Sequence, residues 1–171
     1  MRAVQERRAV APVAPSRRGH AVRPLALVTA VVVIAIDHAT KWWAINALDE
    51  RDIDLIGSLR FHLVFNRGAA FGFGSRYAPF AALVALTIVI VVLRRTGGLE
   101  SRLSQLAVGA VIGGAVGNLL DRAFREGSGL LGGAVVDFID VQFWPVWNVA
   151  DMGIFGGALA LALTAGRDRD P

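Results

Sequence analysis

Residues 24–48 read PLALVTAVVVIAIDHATKWWAINAL, and between Leu25 and Ile36 only Thr29 is polar. As a helix this stretch spans about 37 Å at 1.5 Å per residue, enough to cross a hydrocarbon core of roughly 30 Å. The polar break at Asp37, His38, Thr40 and Lys41 falls inside the span, with Asp37 and Lys41 four residues apart and the acid N-terminal. That order favours an ion pair on one helix face. The run leads into Trp42, Trp43 and a charged loop rather than a small-residue cleavage site. It reads as a permanent membrane helix, not a removable signal peptide.

Outward from this stretch the apolar pattern repeats at 78–93, 103–120 and 148–165. In 171 residues with 54% hydrophobic positions, the expectation is an all-α polytopic membrane protein with four transmembrane helices. Arg2, Arg7, Arg8, Arg17, Arg18 and Arg23 precede the first span, Arg94, Arg95 and Arg102 lie between the second and third, and Arg167 and Arg169 follow the fourth. By the positive-inside rule these regions face the cytoplasm, and loops 49–77 and 123–147 face outward. The chain divides into a basic tail over 1–23, expected to be disordered and cytoplasmic, a membrane domain over 24–166, and a cytoplasmic tail over 167–171. With no Cys, disulfides, thiolate nucleophiles and thiolate metal sites are excluded, and His20, His38 and His62 lack a helix-borne metal spacing. The net charge of +4 comes from dispersed Arg without an aromatic-interleaved RNA motif, so nucleic acid is not an expected partner. Membrane lipid is.

In the first outer loop, residues 54–65 (DLIGSLRFHLVF) combine β-formers with a Gly-Ser turn signal, which predicts a small extracytoplasmic β-hairpin. Trp42, Trp43, Phe71, Phe73, Tyr77, Phe143, Trp144 and Trp147 suit an interfacial aromatic belt. Gly109, Gly113 and Gly117, and again Gly153 and Gly157, recur every fourth residue, the pattern that lets membrane helices pack closely.

Of the 14 acidic residues, Asp37, Asp121, Asp137 and Asp151 interrupt or adjoin the apolar spans, all toward the outer leaflet in this topology. Ionisable groups there are costly unless paired or functional. Asp37 with Lys41 reads as a structural pair. Asp121 and Arg122 at a helix end read as a brace, Arg122 reaching carbonyls or a neighbouring carboxylate. Asp151, three residues after Asn148, fits an N-capped first helical turn. Asp137 stands in the apolar run 134–139 with no basic residue within ten positions. Two carboxylates in apolar surroundings near one membrane surface can share a proton, giving an acid and a base able to activate water against a peptide bond. Two other readings compete: a Ser/Lys protease using Lys41, the only Lys, with Ser58 or Ser75, and a small transporter or assembly scaffold, against which the absence of an inverted repeat counts.

Taken in order, Asp37-His-Ala-Thr-Lys41, Asn66-Arg-Gly-Ala-Ala-Phe-Gly72, Gly113-Gly-Ala-Val-Gly-Asn-Leu-Leu-Asp-Arg122, Val135-Val-Asp-Phe-Ile139 and Trp147-Asn-Val-Ala-Asp151 resemble the signature blocks of lipoprotein signal peptidase, signal peptidase II. The resemblance covers roughly residues 24–165. It implies a bacterial inner-membrane aspartic endopeptidase, without metal or cofactor, that cuts prolipoproteins before a diacylglyceryl-modified Cys; a monomer is the expected unit. By motif match the catalytic aspartates fall on Asp137 and Asp151. Asn66, Gly114, Asn118, Arg122 and Asn148 match positions lining or bracing the substrate pocket, and Asp37 and Lys41 match the first-helix signature. Asp121 is kept as the alternative dyad member. Two departures stand out: the Gly-rich stretch between Arg122 and Val135 is longer than the pattern needs, and Trp147 replaces a common Phe.

Overall fold

The computed structural model describes residues 24–67, 87, 101–127 and 131–164. Helix α1 runs Pro24–Ala47, α2 Arg102–Phe124 and α3 Val149–Thr164; strands β1 (Ile53–Ile56), β2 (Leu59–Asn66) and β3 (Val135–Asp140) form one antiparallel sheet in the order β1-β2-β3. Helix α1 starts on Pro24, whose missing N–H costs nothing in the first turn. Helix α2 is capped by Ser101, whose hydroxyl accepts from the Ser104 amide at 3.0 Å. Both α1 and α2 are long and apolar enough to cross a membrane. Helix α3, with 16 residues, spans about 24 Å and needs its flanks to reach across the bilayer. Of the remaining expected span only Thr87 is described, and it is helical. Four spans thus stay an expectation, and the tails 1–23 and 167–171 lie outside the described residues, as do Phe71, Phe73 and Tyr77.

Leu27, Val28, Val31, Val32 and Ile36 on α1, and Met152, Phe155, Leu159 and Leu163 on α3, all point away from the protein. Contiguous apolar faces of this extent belong in lipid rather than water. Between the helices the glycines permit near-contact of backbones. A Cβ on Gly113 would lie 2.7 Å from the Ala30 carbonyl of α1, and one on Gly114 would overlap the Ala150 carbonyl of α3. Helix α2 is therefore wedged between its neighbours by two consecutive residues without side chains. Gly114→Ala is expected to push α3 off α2, costing about 1–3 kcal/mol as an overpacked contact does, and thermal unfolding in detergent will read it.

The hairpin expected over 54–65 is present, with Gly57 at φ +58° in its turn. The sheet goes further than that expectation: residues 135–140, read from sequence as loop, form its third strand, with Asn66 opposite Val135 and Arg60 opposite Asp140. The fold is thus not all-α outside the hairpin. Strand β3 is covered on both faces, and each face carries one carboxylate, Asp137 on one and Asp140 on the other. Its outer edge is closed by Trp147, whose carbonyl accepts from Phe138 and Ile139 amides at 2.9 Å each and whose amide donates to Ile139 at 3.1 Å. Phe138 joins Ala44 and Leu48 in a buried cluster, and the Trp43 ring stands edge-on to Phe61 and Phe138, with centroids 5.2 and 6.1 Å away. Trp43 thus anchors the sheet on the end of the bundle where α1 finishes and α3 begins. Trp42, Phe143 and Trp144 remain exposed, as a belt requires.

Candidate active site

Two chain reversals create the site. Gly133 donates to the Arg122 carbonyl at 3.1 Å, tying the entry of β3 to the end of α2. After β3 the chain turns at Gln142, φ +65°, its amide held by Asp140 Oδ1 at 2.6 Å, and returns along β3 at Trp147. This return sets Asn148 against Asp137 just as α3 begins. Asn148 caps that helix: its Oδ1 accepts from the Asp151 amide at 2.9 Å, and Asp151 Oδ2 accepts from the Asn148 amide at 3.3 Å. The reciprocal pair is a capping box with Asp in the third helical position.

The Asn148 side chain touches both carboxylates' surroundings. Its Nδ2 donates to Asp137 Oδ1 at 2.6 Å, to Asn118 Oδ1 at 3.1 Å and to the Val136 carbonyl at 3.3 Å. Asn66, the last residue of β2, donates to Asp137 Oδ2 at 2.9 Å, and Asn118 of α2 donates to Asp151 Oδ1 at 2.8 Å. Every carboxylate oxygen of the pair therefore receives an N–H, and the two aspartates share Asn148 as a partner. Burial drives the Asp137 carboxyl up to about 7, and the negative charge of Asp151 adds to the rise; the Asn66 and Asn148 amides and the charge of Lys41 oppose it.

Beneath the pair lies a charge cluster. Lys41 Nζ is fully buried, 2.8 Å from Asp37 Oδ2, 2.9 Å from Asp121 Oδ2 and 3.0 Å from Asn118 Oδ1. Three acceptors use all three ammonium hydrogens. Asp37 Oδ1 also accepts from the Ala150 amide at 2.9 Å, so it helps cap α3 from the neighbouring helix. Asp121 is held a second time by Arg125 Nε at 2.6 Å and accepts weakly from the Val136 amide at 3.3 Å. The intrahelical pair expected of Asp37 and Lys41 is thus one side of a cluster that joins three helices.

Two expectations need correction. Asp121 is paired with Lys41 and Arg125 rather than with Arg122, because residues four apart share a helix face and adjacent ones do not. Arg122 is buried and its Nη1 has no hydrogen-bond partner among the described residues. The Ser/Lys reading finds no support in the geometry: the Lys41 nitrogen contacts Asp37, Asp121 and Asn118, not Ser58; Ser75 lies outside the described residues. Sequence reasoning missed Arg125 and a clamp across the sheet, where Arg60 bonds Asp140 at 2.7 Å and Asp52 at 2.9 Å. The Asp121-x3-Arg125 spacing carried the same signal as Asp37-x3-Lys41.

The family model for signal peptidase (SPase) II matches residues 29–166. The chain belongs to the signal peptidase II family. Among curated relatives of this family, the lipoprotein signal peptidase of Rhodococcus jostii is 44% identical over 146 residues, 84% of this chain and 73% of that one. The Streptomyces coelicolor enzyme of the same name is 37% identical over 153 residues, 87% of this chain and 74% of its own. A solved bacterial membrane enzyme, determined by the in meso method at 1.9 Å resolution, superposes with a TM-score of 0.67 at 26% identity, covering 82% of this chain and 91% of the other. The signal peptidase II assignment makes this chain a peptidase with apolar membrane helices, and Asp137, Asp151 and the asparagines around them lie within the matched segment.

Proposed function

We propose that this chain removes the signal peptide from prolipoproteins on the N-terminal side of a diacylglyceryl-modified Cys, using Asp137 and Asp151 as an aspartic dyad and no metal or cofactor. The observation that carries the dyad is that two carboxylates from different elements meet at Asn148, Asp137 accepting from its side-chain Nδ2 and Asp151 from its backbone N–H, while the Asp137 carboxyl is raised to about 7. A raised carboxyl keeps its proton near neutrality and serves as acid, leaving Asp151 as base.

In this reading the Asp151 carboxylate takes a proton from water as its oxygen attacks the scissile carbonyl carbon. The tetrahedral intermediate then collapses: the C–N bond breaks, and Asp137 gives its proton to the leaving α-amine of the Cys. The products are a signal peptide ending in a carboxyl group and a lipoprotein with a free N-terminal amine. Proton transfer from Asp151 back to Asp137, through solvent, restores the starting state.

A substrate with two acyl chains stays in the bilayer, so the bond it presents lies close to the membrane surface. The sheet and the start of α3 are read at the outer face of the bacterial inner membrane, with both termini cytoplasmic and a monomer as the working unit. Residues 24–166 form the catalytic unit, and the basic tail is expected to meet anionic lipid. The test is cleavage of a purified diacylglyceryl-prolipoprotein by the chain in detergent, with chelator present. Cleavage before the modified Cys supports the reading, and an inactive, folded chain overturns it.

The pH profile follows from the sign of the shift. Below about 7 Asp137 is protonated and can donate; above it, the acid is lost. The value of kcat/KM is accordingly expected to fall as pH rises through about 7, and a profile flat across neutrality would remove Asp137 from the acid's role.

A further inference from the structure

Lys41 is the one member of the charge cluster that reaches the dyad's own hydrogen bonds. An ammonium donates only, so it faces the oxygen of the Asn118 amide, 3.0 Å away. That leaves the Asn118 NH2 on the opposite side, where it donates to Asp151 Oδ1 at 2.8 Å. With the amide turned over, NH2 would meet NH3+ and an oxygen would meet the Asp151 carboxylate, two mismatched contacts, the first of them at a fully buried ammonium. The other donor to Asn118 Oδ1, Asn148 Nδ2 at 3.1 Å, spreads two hydrogens over three acceptors and is closer to Asp137, so it holds the amide less firmly.

We infer that Lys41 is a positioning residue for the reaction: its charge fixes the Asn118 amide so that the NH2 is aimed at Asp151, holding that carboxylate in the orientation that receives a water proton. This rests on the dyad reading above. Lys41 lies on α1, Asn118 on α2 and Asp151 on α3. The cluster thus does more than join the helices; it sets the hydrogen-bond polarity of the active site from below.

The test separates this from a scaffold role. Replacing Lys41 alone would strand two buried carboxylates, so the informative variant is Asp37→Asn with Lys41→Met, which removes one charge of each sign. Asn at 37 retains an oxygen for the Ala150 amide, and Asp121 retains Arg125. The folded double variant is expected to lose about 100-fold in kcat, the scale on which a misaimed group acts, with KM unchanged. Adding Asn118→Ala should cause no further loss beyond that of Asn118→Ala alone, because both changes remove the same donor. A folded double variant with wild-type kcat overturns the proposal, as do losses that multiply in the triple variant. If the double variant does not fold, Asn118→Asp carries the test: it accepts from Lys41 with either oxygen but has no NH2 for Asp151. A similar loss of kcat in this variant supports the proposal, and wild-type kcat overturns it. Failure of the wild type to cleave prolipoprotein would instead strike the function reading, so the two failures are distinct.

Discussion

Asp137→Asn and Asp151→Asn are each expected to lower kcat by about 10⁴-fold, the scale seen when one member of a catalytic unit is removed, with little change in thermal stability. Asn preserves shape and one acceptor oxygen, so Asn66 or Asn148 still has a partner at 137, and Asn118 still has one at 151. What is lost is the titratable proton. Asp137→Asn cannot protonate the leaving amine, and Asp151→Asn cannot take a proton from water. Combining the two should cost hardly more than either alone, since acid and base act in one reaction unit. Single-turnover cleavage by folded protein checks this, and near-normal turnover in either variant would mark that carboxylate as structural.

Asp121→Ala is expected to act in the opposite manner, on stability first. Asp121 has three dependents: Lys41 at 2.9 Å, Arg125 at 2.6 Å and the Val136 amide at 3.3 Å. Losing the carboxylate leaves Lys41 with one carboxylate, Asp37, in place of two and frees Arg125, and breaking a buried ion pair in this one-sided way costs about 3–5 kcal/mol. Because Val136 precedes Asp137 in β3, the strand carrying the proposed acid should loosen as well. Thermal unfolding in detergent reads the stability loss. Activity per folded molecule separates Asp121 from the dyad: a bracing Asp121 leaves Asp121→Asn active wherever it folds, whereas a catalytic one would make that variant inactive at full stability.

The outcome for Asp121 bears on what could be read from the chain. A carboxylate beside Arg122 suggested a pairing of neighbours, but helix geometry sends consecutive side chains about 100° apart. The partner four residues on, Arg125, lies beyond the apolar run 103–120 that marks the span, whereas the helix itself continues to Phe124 and takes Arg125 as its C-cap. The third strand was missed for a different reason. Residues 135–140 carry too little alternation to signal a strand, since β3 is buried on both faces, and a fully covered strand reads as a plain apolar run.

By itself the sequence determined the membrane character of α1 and α2, the hairpin with its Gly57 turn, the Asp37–Lys41 pair and the Asn148 cap on α3. Each depends on residues within a few positions of one another, where periodicity, turn chemistry and i,i+4 spacing act directly. Only the tertiary structure decided that Asn148 bonds Asp137, that Asn66 reaches it from β2, and that Lys41 of α1 joins Asp121 and Asn118 of α2. Those contacts link residues 11, 71, 80 and 77 positions apart. Local pattern is silent about them, because they exist only once small residues let the helices close and the sheet folds β3 back onto the start of α3.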